Sequence, residues 1–415
     1  MVPRFLWRMK RRGGYGRDFA NRFGHYRPDV AARLDEGGRI WIHAVSVGEL
    51  YVGMKFAEAL RRRRPDVRFV MSTTTSTAYA IGREQVADPD VLVYFPLDFP
   101  LVMRRVLARI RPAALILVEG ELWPNLVRQA ADRGIPVFLV NGRVSAHSFR
   151  GYQKLRFFTR RLFPRFDALC VQSNADRDRL IALGAPDESV HVMNSAKYEV
   201  AESNPQAEEG AARILRSAGI NGEQRILMGG STWAGEEGIL LDHYQELRKE
   251  FPGVTLVLVP RHVERTAEVL EEVRRRKLSV RLRSEIEERN GVAEPRDVFL
   301  IDTTGELKNF YRHADVIFVG KSLCAKGGQN IIEPALHGKP VVVGPHMSNF
   351  PVVMEDFRDA GAICQVGSAG ELKVALRELL SDPEQCAQMG RNAAQLVREK
   401  AGAVEQTVAL MEARF

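Results

Sequence analysis

The residues of this chain best suited to chemistry are carboxylates placed where apolar runs give way to polar turns. Glu49 closes VSVGEL after the run Ile40–Ala44, and Glu119 and Glu121 follow the run Ala114–Val118 in VEGELWPN. A carboxylate at such an edge can be the negative charge that a helix N-terminus favours, or a general base facing a ligand. Three acids exceed what capping requires. Donors accompany them: Asn141-Gly142-Arg143 follows another apolar run, and Lys197 closes Asn194-Ser195-Ala196-Lys197.

A second set lies between Asp315 and Phe350. The run Val316–Val319 ends at Gly320, and a loop holding Gly327, Gly328, Gln329 and Asn330 precedes helical apolar spacing from Ile331. Gly338 and Pro340 stop that helix before the run Val341–Val343. Strand, glycine loop, helix and strand in this order predict free backbone N–H groups at a helix N-terminus, where a phosphate is stabilised. Glu333 stands three residues after Asn330 and can accept hydrogen bonds from ribose hydroxyls. An ordinary glycine-rich turn is the alternative. The same half supplies Gly229-Gly230-Ser231-Thr232, Pro260-Arg261-His262 and Asp302-Thr303-Thr304-Gly305-Glu306-Leu307 after successive apolar runs. Arg261 is suited to hold a phosphate bidentately, with His262 as a second donor. Four such segments at the edge of one sheet point to a nucleotide-sized site.

The elements that must position these residues alternate. Apolar runs Ile40–Ala44, Val67–Ser72, Val91–Tyr94, Ala114–Val118, Pro136–Val140 and Ala168–Gln172 are separated by stretches of helical spacing, the pattern of a doubly wound parallel sheet. Periodicity lapses through KYEVAESNPQAEEG and restarts with Ile226–Met228, Thr255–Val259, Val298–Ile301, Val316–Val319, Val341–Val343 and Ala362–Val366. Two helical stretches, Ala369–Leu380 and Pro383–Arg414, finish the chain. The expectation is an α/β protein of two Rossmann-like domains: residues 1–198, a linker at 199–208, and 209–415, with the last helix able to pack back on the first domain. Ligands bind beyond the carboxyl ends of such strands, so the chemistry is expected in the cleft between the domains.

Composition narrows the classes. With 45% hydrophobic and 27% charged residues the chain is an ordinary globular protein, not a disordered one. Residues 1–200 carry 33 Lys and Arg against 20 Asp and Glu, net +13, whereas the remainder has 27 against 32, net −5. The first half should therefore meet something anionic. Its segment Arg143–Arg165 interleaves Arg150, Lys154, Arg156, Arg160 and Arg161 with Phe149, Tyr152, Phe157 and Phe158, a pattern that suits a membrane surface or stacked bases. No common DNA or RNA module is present, which leaves an anionic membrane surface as the expected partner and no nucleic acid. Cys170, Cys324, Cys364 and Cys386 are far apart and read as reduced thiols. No apolar run reaches the ~18 residues of a spanning helix. Phe5, Leu6 and Trp7 among basic residues could still touch an interface. Asp88-Pro89-Asp90 and Asp176-Arg177-Asp178 read as a loop and a helix start, not metal ligands.

HAVSVGEL, EGELWPN, NGR-S, VQSNAD, GGST, PRHVER, DTTGEL, GGQNIIEP and GPHMSNF occur in the order and spacing of the 3-deoxy-D-manno-octulosonic acid (Kdo) transferases of lipopolysaccharide synthesis. From about Tyr15 onward the chain resembles that family. The resemblance implies a GT-B fold, a CMP-Kdo donor, no cofactor or metal, and inverting transfer onto the lipid A precursor, lipid IVA, at the cytoplasmic face of the inner membrane. By motif, Glu49 resembles the general base, and Glu119 and Lys197 resemble the residues that stabilise the transition state. Contacts to CMP fall on Arg261 and His262, on Gly305, Glu306 and Leu307, and on Asn330, Ile331, Ile332 and Glu333. Ser231, Thr232, Gly327, Gly328 and Gln329 complete the donor site. A single phosphate can be neutralised by a helix N-terminus with Lys and Arg, where a diphosphate donor often needs a divalent ion. Gly120 stands where the family usually has Thr, and NSAKYE replaces the common N-L-K. Members usually begin with an apolar anchor of about one span, and only Met1 to Met9 stands in its place, so peripheral attachment or a short or missing anchor is expected. Two other readings share the fold: a sugar-nucleotide 2-epimerase, and a non-catalytic sugar-nucleotide binding protein.

Overall fold

A computed structural model of the chain describes residues 18–120, 122–199, 203–286 and 294–414. Glu121 and the Phe5-Leu6-Trp7 segment lie outside the described residues. Two compact units emerge, Met1–Val200 with Ala401–Phe415, and Ala201–Lys400.

The first unit is built on seven strands: β1 (Ile40–Ala44), β2 (Phe69–Thr73), β3 (Val91–Tyr94), β4 (Ala114–Val118), β5 (Val137–Gly142), β6 (Ala168–Val171) and β7 (Val190–Val192). They lie in the order β3-β2-β1-β4-β5-β6-β7, and every neighbouring pair is parallel. Helical crossovers cover both faces of such a sheet, which is why β1 and β4 are apolar or buried at every position. Alternation of side chains divides them between two cores. Trp41, Val70, Leu115 and Leu117 enter one, and Ile40, Ile42, Met71 and Ile116 enter the other.

The second unit repeats the plan with β8 (Arg225–Thr232), β9 (Val254–Pro260), β10 (Val280–Leu282), β11 (Val298–Leu300), β12 (Val316–Val319), β13 (Val341–Val343) and β14 (Cys364–Gln365), in the order β10-β11-β9-β8-β12-β13-β14. Here too all neighbours are parallel. The architecture is α/β of the GT-B class, two Rossmann-like units in series. Strand order reverses between β1 and β4 in one sheet and between β8 and β12 in the other, and ligands of doubly wound sheets bind at such reversals.

The structure differs from the sequence reading in several places. β7 and β10 are strands of three residues that the reading does not contain. β8 continues four residues past Met228 to Thr232. A helix begins at Pro205, inside the segment read as linker, because Asn204 caps it and Glu208 pairs with Arg312 at 2.9 Å. The stretch Pro383–Arg414 is two helices, Pro383–Lys400 and Ala403–Glu412, divided at Gly402, whose φ of 97° suits glycine and ends a helix. That terminal helix buries Val404, Val408 and Met411 with Phe56 and Leu60 in the first unit. Each such side chain contributes about 1.5–3 kcal/mol. Arg62–Glu405 at 2.6 Å and Arg63–Glu412 at 2.9 Å flank the contact. No helix among the described residues is long and apolar enough to cross a membrane.

Candidate active site

At the carboxyl end of β1 the chain turns through Ser46 into the helix Val47–Arg63. Ser46 caps the helix, and the Glu49 carboxylate bonds back to the Ser46 hydroxyl and to the preceding turn. Ser46 Oγ accepts the Glu49 N–H at 3.4 Å and donates to Glu49 Oε1 at 2.9 Å, while Oε2 accepts the Val45 N–H at 2.7 Å. The capping role foreseen for Glu49 is therefore real, and it also fixes the carboxylate in one orientation.

Across the strand reversal, Glu119 leaves β4 with φ 68° and places Oε1 3.2 Å from Lys197 Nζ. Asn141, itself at φ 52°, donates to the same Oε1 at 3.3 Å and accepts the Ala196 N–H at 3.0 Å. Glu119, Asn141 and Lys197 come from the ends of β4, β5 and β7, and one amide ties them together. Trp123 and Asn194 are left-handed as well, at 38° and 65°. Left-handed conformations of non-glycine residues cost about 1–3 kcal/mol each and persist where surroundings impose them, as they do at functional sites. A residue the sequence reading passed over supports this edge. His43 on β1 stacks on Phe95 at 3.8 Å and meets the Trp123 ring edge at 5.5 Å. Its Nδ1 lies 3.1 Å from the Ser72 carbonyl, which can only accept, and burial pushes its pKa down to about 3, so the ring is neutral.

In the second unit, Ser231 (φ 51°) and Thr232 end β8, and the Thr232 carbonyl accepts the Arg261 N–H at 3.0 Å. Arg261 and His262 are exposed after β9. Asn330 Nδ2 donates to Glu333 Oε1 at 3.1 Å, and Asn330 Oδ1 caps the Ile332 N–H at 3.0 Å. Burial raises the Glu333 carboxyl above its ordinary range, against the lowering effects of Asn330, Lys308 and Arg261, so these groups share one neighbourhood. Gly305, at φ 86°, leads through Glu306 to the short helix Leu307–Phe310. Glu306 is held by Arg283 at 3.2 Å and by the Thr303 hydroxyl.

Several residues behave differently from the expectation. The Gly327 and Gly328 N–H groups are already bonded, to the carbonyls of His346 at 3.2 Å and Lys321 at 2.9 Å, so neither is free for a phosphate. Gly328 is required for another reason: at φ 74°, an added Cβ would lie 2.3 Å from Met347 Sδ. The helix that follows spans only Ile332–Leu336, the Ile331 and Ile332 side chains are wholly buried, and the Ile332 N–H is taken by Asn330. Gln329 is half-buried. In the basic segment, Phe149 and Tyr152 pack toward the first core, while Leu155, Phe157 and Phe158 are exposed at 50%, 69% and 40%. Arg150, Lys154, Arg156, Arg160 and Arg161 surround them, all exposed. Asp90 accepts the Phe69 N–H and Asp176 accepts the Val144 N–H, as loop and helix-start residues do. Among the described residues no three His, Cys, Asp or Glu are grouped to hold a metal ion.

Known proteins resemble the chain in both units. Residues 17–200 match the family model described as 3-deoxy-D-manno-octulosonic-acid transferase (kdotransferase), and residues 240–396 match glycosyl transferases group 1. The 3-deoxy-D-manno-octulosonic acid transferase of Bordetella pertussis is 34% identical over 98% of this chain and 95% of its own length. The transferase of the same name from Haemophilus influenzae is 30% identical over 96% and 91%. In fold alone, the UDP-GlcNAc 2-epimerase of Neisseria meningitidis superposes with a TM-score of 0.59 at 12% identity, covering 91% of this chain and all of that one. With a specific model over the first unit and near full-length relatives, the chain belongs to the 3-deoxy-D-manno-octulosonic acid transferase family of glycosyltransferases.

Proposed function

We infer that the protein moves Kdo from CMP-Kdo to a hydroxyl of the lipid A precursor with inversion, and that Glu49 is the general base. The observation that carries this reading is the orientation of Glu49 by Ser46 and the Val45 N–H, at the strand reversal where a ligand of the first sheet would bind. In the reaction the Glu49 carboxylate takes the proton of the attacking hydroxyl. The oxygen then bonds to the anomeric carbon as the bond to the phosphate breaks, and CMP leaves with the electron pair. Lys197, oriented by Glu119, supplies positive charge where negative charge develops. For the donor, Glu333 and Asn330 fit a ribose, and Arg261 fits the single phosphate without a divalent ion.

The acceptor is a lipid, and the segment 146–162 suits its surface. Leu155, Phe157 and Phe158 can enter the headgroup region while the surrounding cations meet anionic lipids, each worth about 1 kcal/mol before screening. This supports peripheral attachment at the cytoplasmic face of the inner membrane.

Incubation with CMP-Kdo and a tetraacylated lipid A precursor should release CMP and extend the lipid by Kdo, read by mass analysis. Conversion of a UDP-sugar to its epimer, with no lipid product, would end the transferase reading. Sedimentation with anionic and neutral vesicles checks the surface. Neutralising Arg150, Lys154, Arg156, Arg160 and Arg161 together should abolish the preference for anionic vesicles, and an unchanged preference would assign attachment elsewhere.

A further inference from the structure

At the strand reversal of the second sheet one buried carboxylate locks two turns together. Glu236 is wholly buried. Its Oε2 accepts the N–H groups of Trp233 and Lys321, both at 2.8 Å, and its Oε1 accepts those of Ser322 and Leu323, both at 3.0 Å. A Cβ at Gly320 would lie 2.5 Å from the Ser231 carbonyl, so the turns after β8 and β12 meet backbone to backbone. Lys321 is consequently held at φ 58°, a conformation that disfavours any side chain but glycine. Its ammonium sits 4.5 Å from the centroid of the Trp233 ring, and that ring meets the His262 ring edge on at 5.4 Å. Trp233 Nε1 is buried without a hydrogen-bond partner among the described residues. Lys321 makes no ion pair among them either.

Arg261 and Lys308 are the cations that act on Glu333, and Lys321 is not one of them. We propose that Lys321, presented by Glu236 against Trp233, is the counter-charge to the carboxylate of the transferred sugar acid. This rests on the CMP-Kdo reading. The donor carries two anionic groups on one anomeric carbon, the phosphate that departs and the carboxylate that stays with the sugar. Cations for the first alone would leave the second desolvated and unpaired, which is costly. The Trp233 face steadies the ammonium from one side and leaves its N–H groups for a carboxylate on the other. Because the carboxylate leaves with the sugar, Lys321 contributes little to the hold on CMP after transfer.

The test compares CMP binding by calorimetry with steady-state kinetics on CMP-Kdo and the lipid acceptor, in the wild type, Lys321→Met, Lys321→Gln and Lys321→Arg. The neutral variants should raise the KM for CMP-Kdo about 10- to 100-fold while the Kd for CMP stays within about threefold. Lys321→Arg should recover most of the loss, and retained CMP binding certifies that each variant is folded. Equal losses for CMP and CMP-Kdo would assign Lys321 to the phosphate, and an unchanged KM would remove it from the donor site; either overturns the proposal. A wild type that binds no CMP and uses no CMP-Kdo would instead overturn the donor reading, and this proposal with it.

Discussion

The two sheets end in opposite electrostatic arrangements. Beyond β1, β4, β5 and β7 the charged groups answer one another: Glu119 pairs with Lys197 and accepts from Asn141, and Glu49 is bonded within its own turn. Beyond β9, β11 and β12, Arg261, Lys308 and Lys321 make no ion pair among the described residues, although Glu306 is held there by Arg283. Internal pairing orients groups that must act in one geometry, whereas unpaired cations wait for an anion supplied from outside. The totals point the other way, since net +13 belongs to the first 200 residues and −5 to the rest. Net charge by half describes long-range attraction. It says little about which sheet edge receives an anion.

The largest effect that would break this contrast is at Glu49. Glu49→Gln keeps shape and loses proton acceptance, so kcat should fall about 10²–10⁴-fold while CMP affinity is retained. A folded variant with near-normal turnover would leave Glu49 as a cap and nothing more. Next comes the internal pair. Lys197→Ala should lower kcat about 10²–10³-fold. Glu119→Ala should lower it as well, and the double variant should fall well short of the product, because the two act as one unit. Full multiplicativity would show that the 3.2 Å contact has no role in turnover.

The smallest effect sharpens the second sheet. Glu333 is raised by burial from its ordinary 4.5, and only its ionised form accepts two ribose hydroxyls. CMP affinity should therefore weaken as pH falls through the raised value, starting above the usual carboxylate range. Stability has the opposite sign. Above 4.5 the unfolded chain has released a proton that the folded one keeps, so stability declines as pH rises through the folded value. Glu333→Gln should weaken CMP binding about tenfold and flatten both profiles. A wild-type CMP-binding profile that parallels that of Glu333→Gln on the acid side would argue against a ribose contact by this carboxylate.

Most of the fold was legible because central parallel strands are buried on both faces and so read as apolar runs. β1 and β4 are buried at every position and match their runs residue for residue. β7, with exposed Val192, and β10, with Arg281 at its middle and no fully buried residue, are edge strands whose sequences lack that signature. The turns that carry Glu49 and Glu119 were legible because each motif coincides with a strand end, and Asn330 because it precedes a helix. The site was illegible where the partner is remote. The Gly327 amide is occupied by His346, nineteen positions on, and Glu236 reads as an ordinary first-turn acid until the turn after β12, more than eighty residues away, closes on it. His43 carries a signal that could have been used, a histidine inside the apolar run IWIHA, where only a neutral ring can remain.

The terminal helix Ala403–Glu412 sets an order of assembly. Its Val404, Val408 and Met411 complete a core whose other members, Phe56 and Leu60 among them, leave the ribosome some 340 residues earlier. The second unit is one uninterrupted stretch, Ala201–Lys400, and has everything it needs before that helix is made. During synthesis the half that begins first must therefore wait, with an apolar groove open along the helix Val47–Arg63, until the half that begins later is finished.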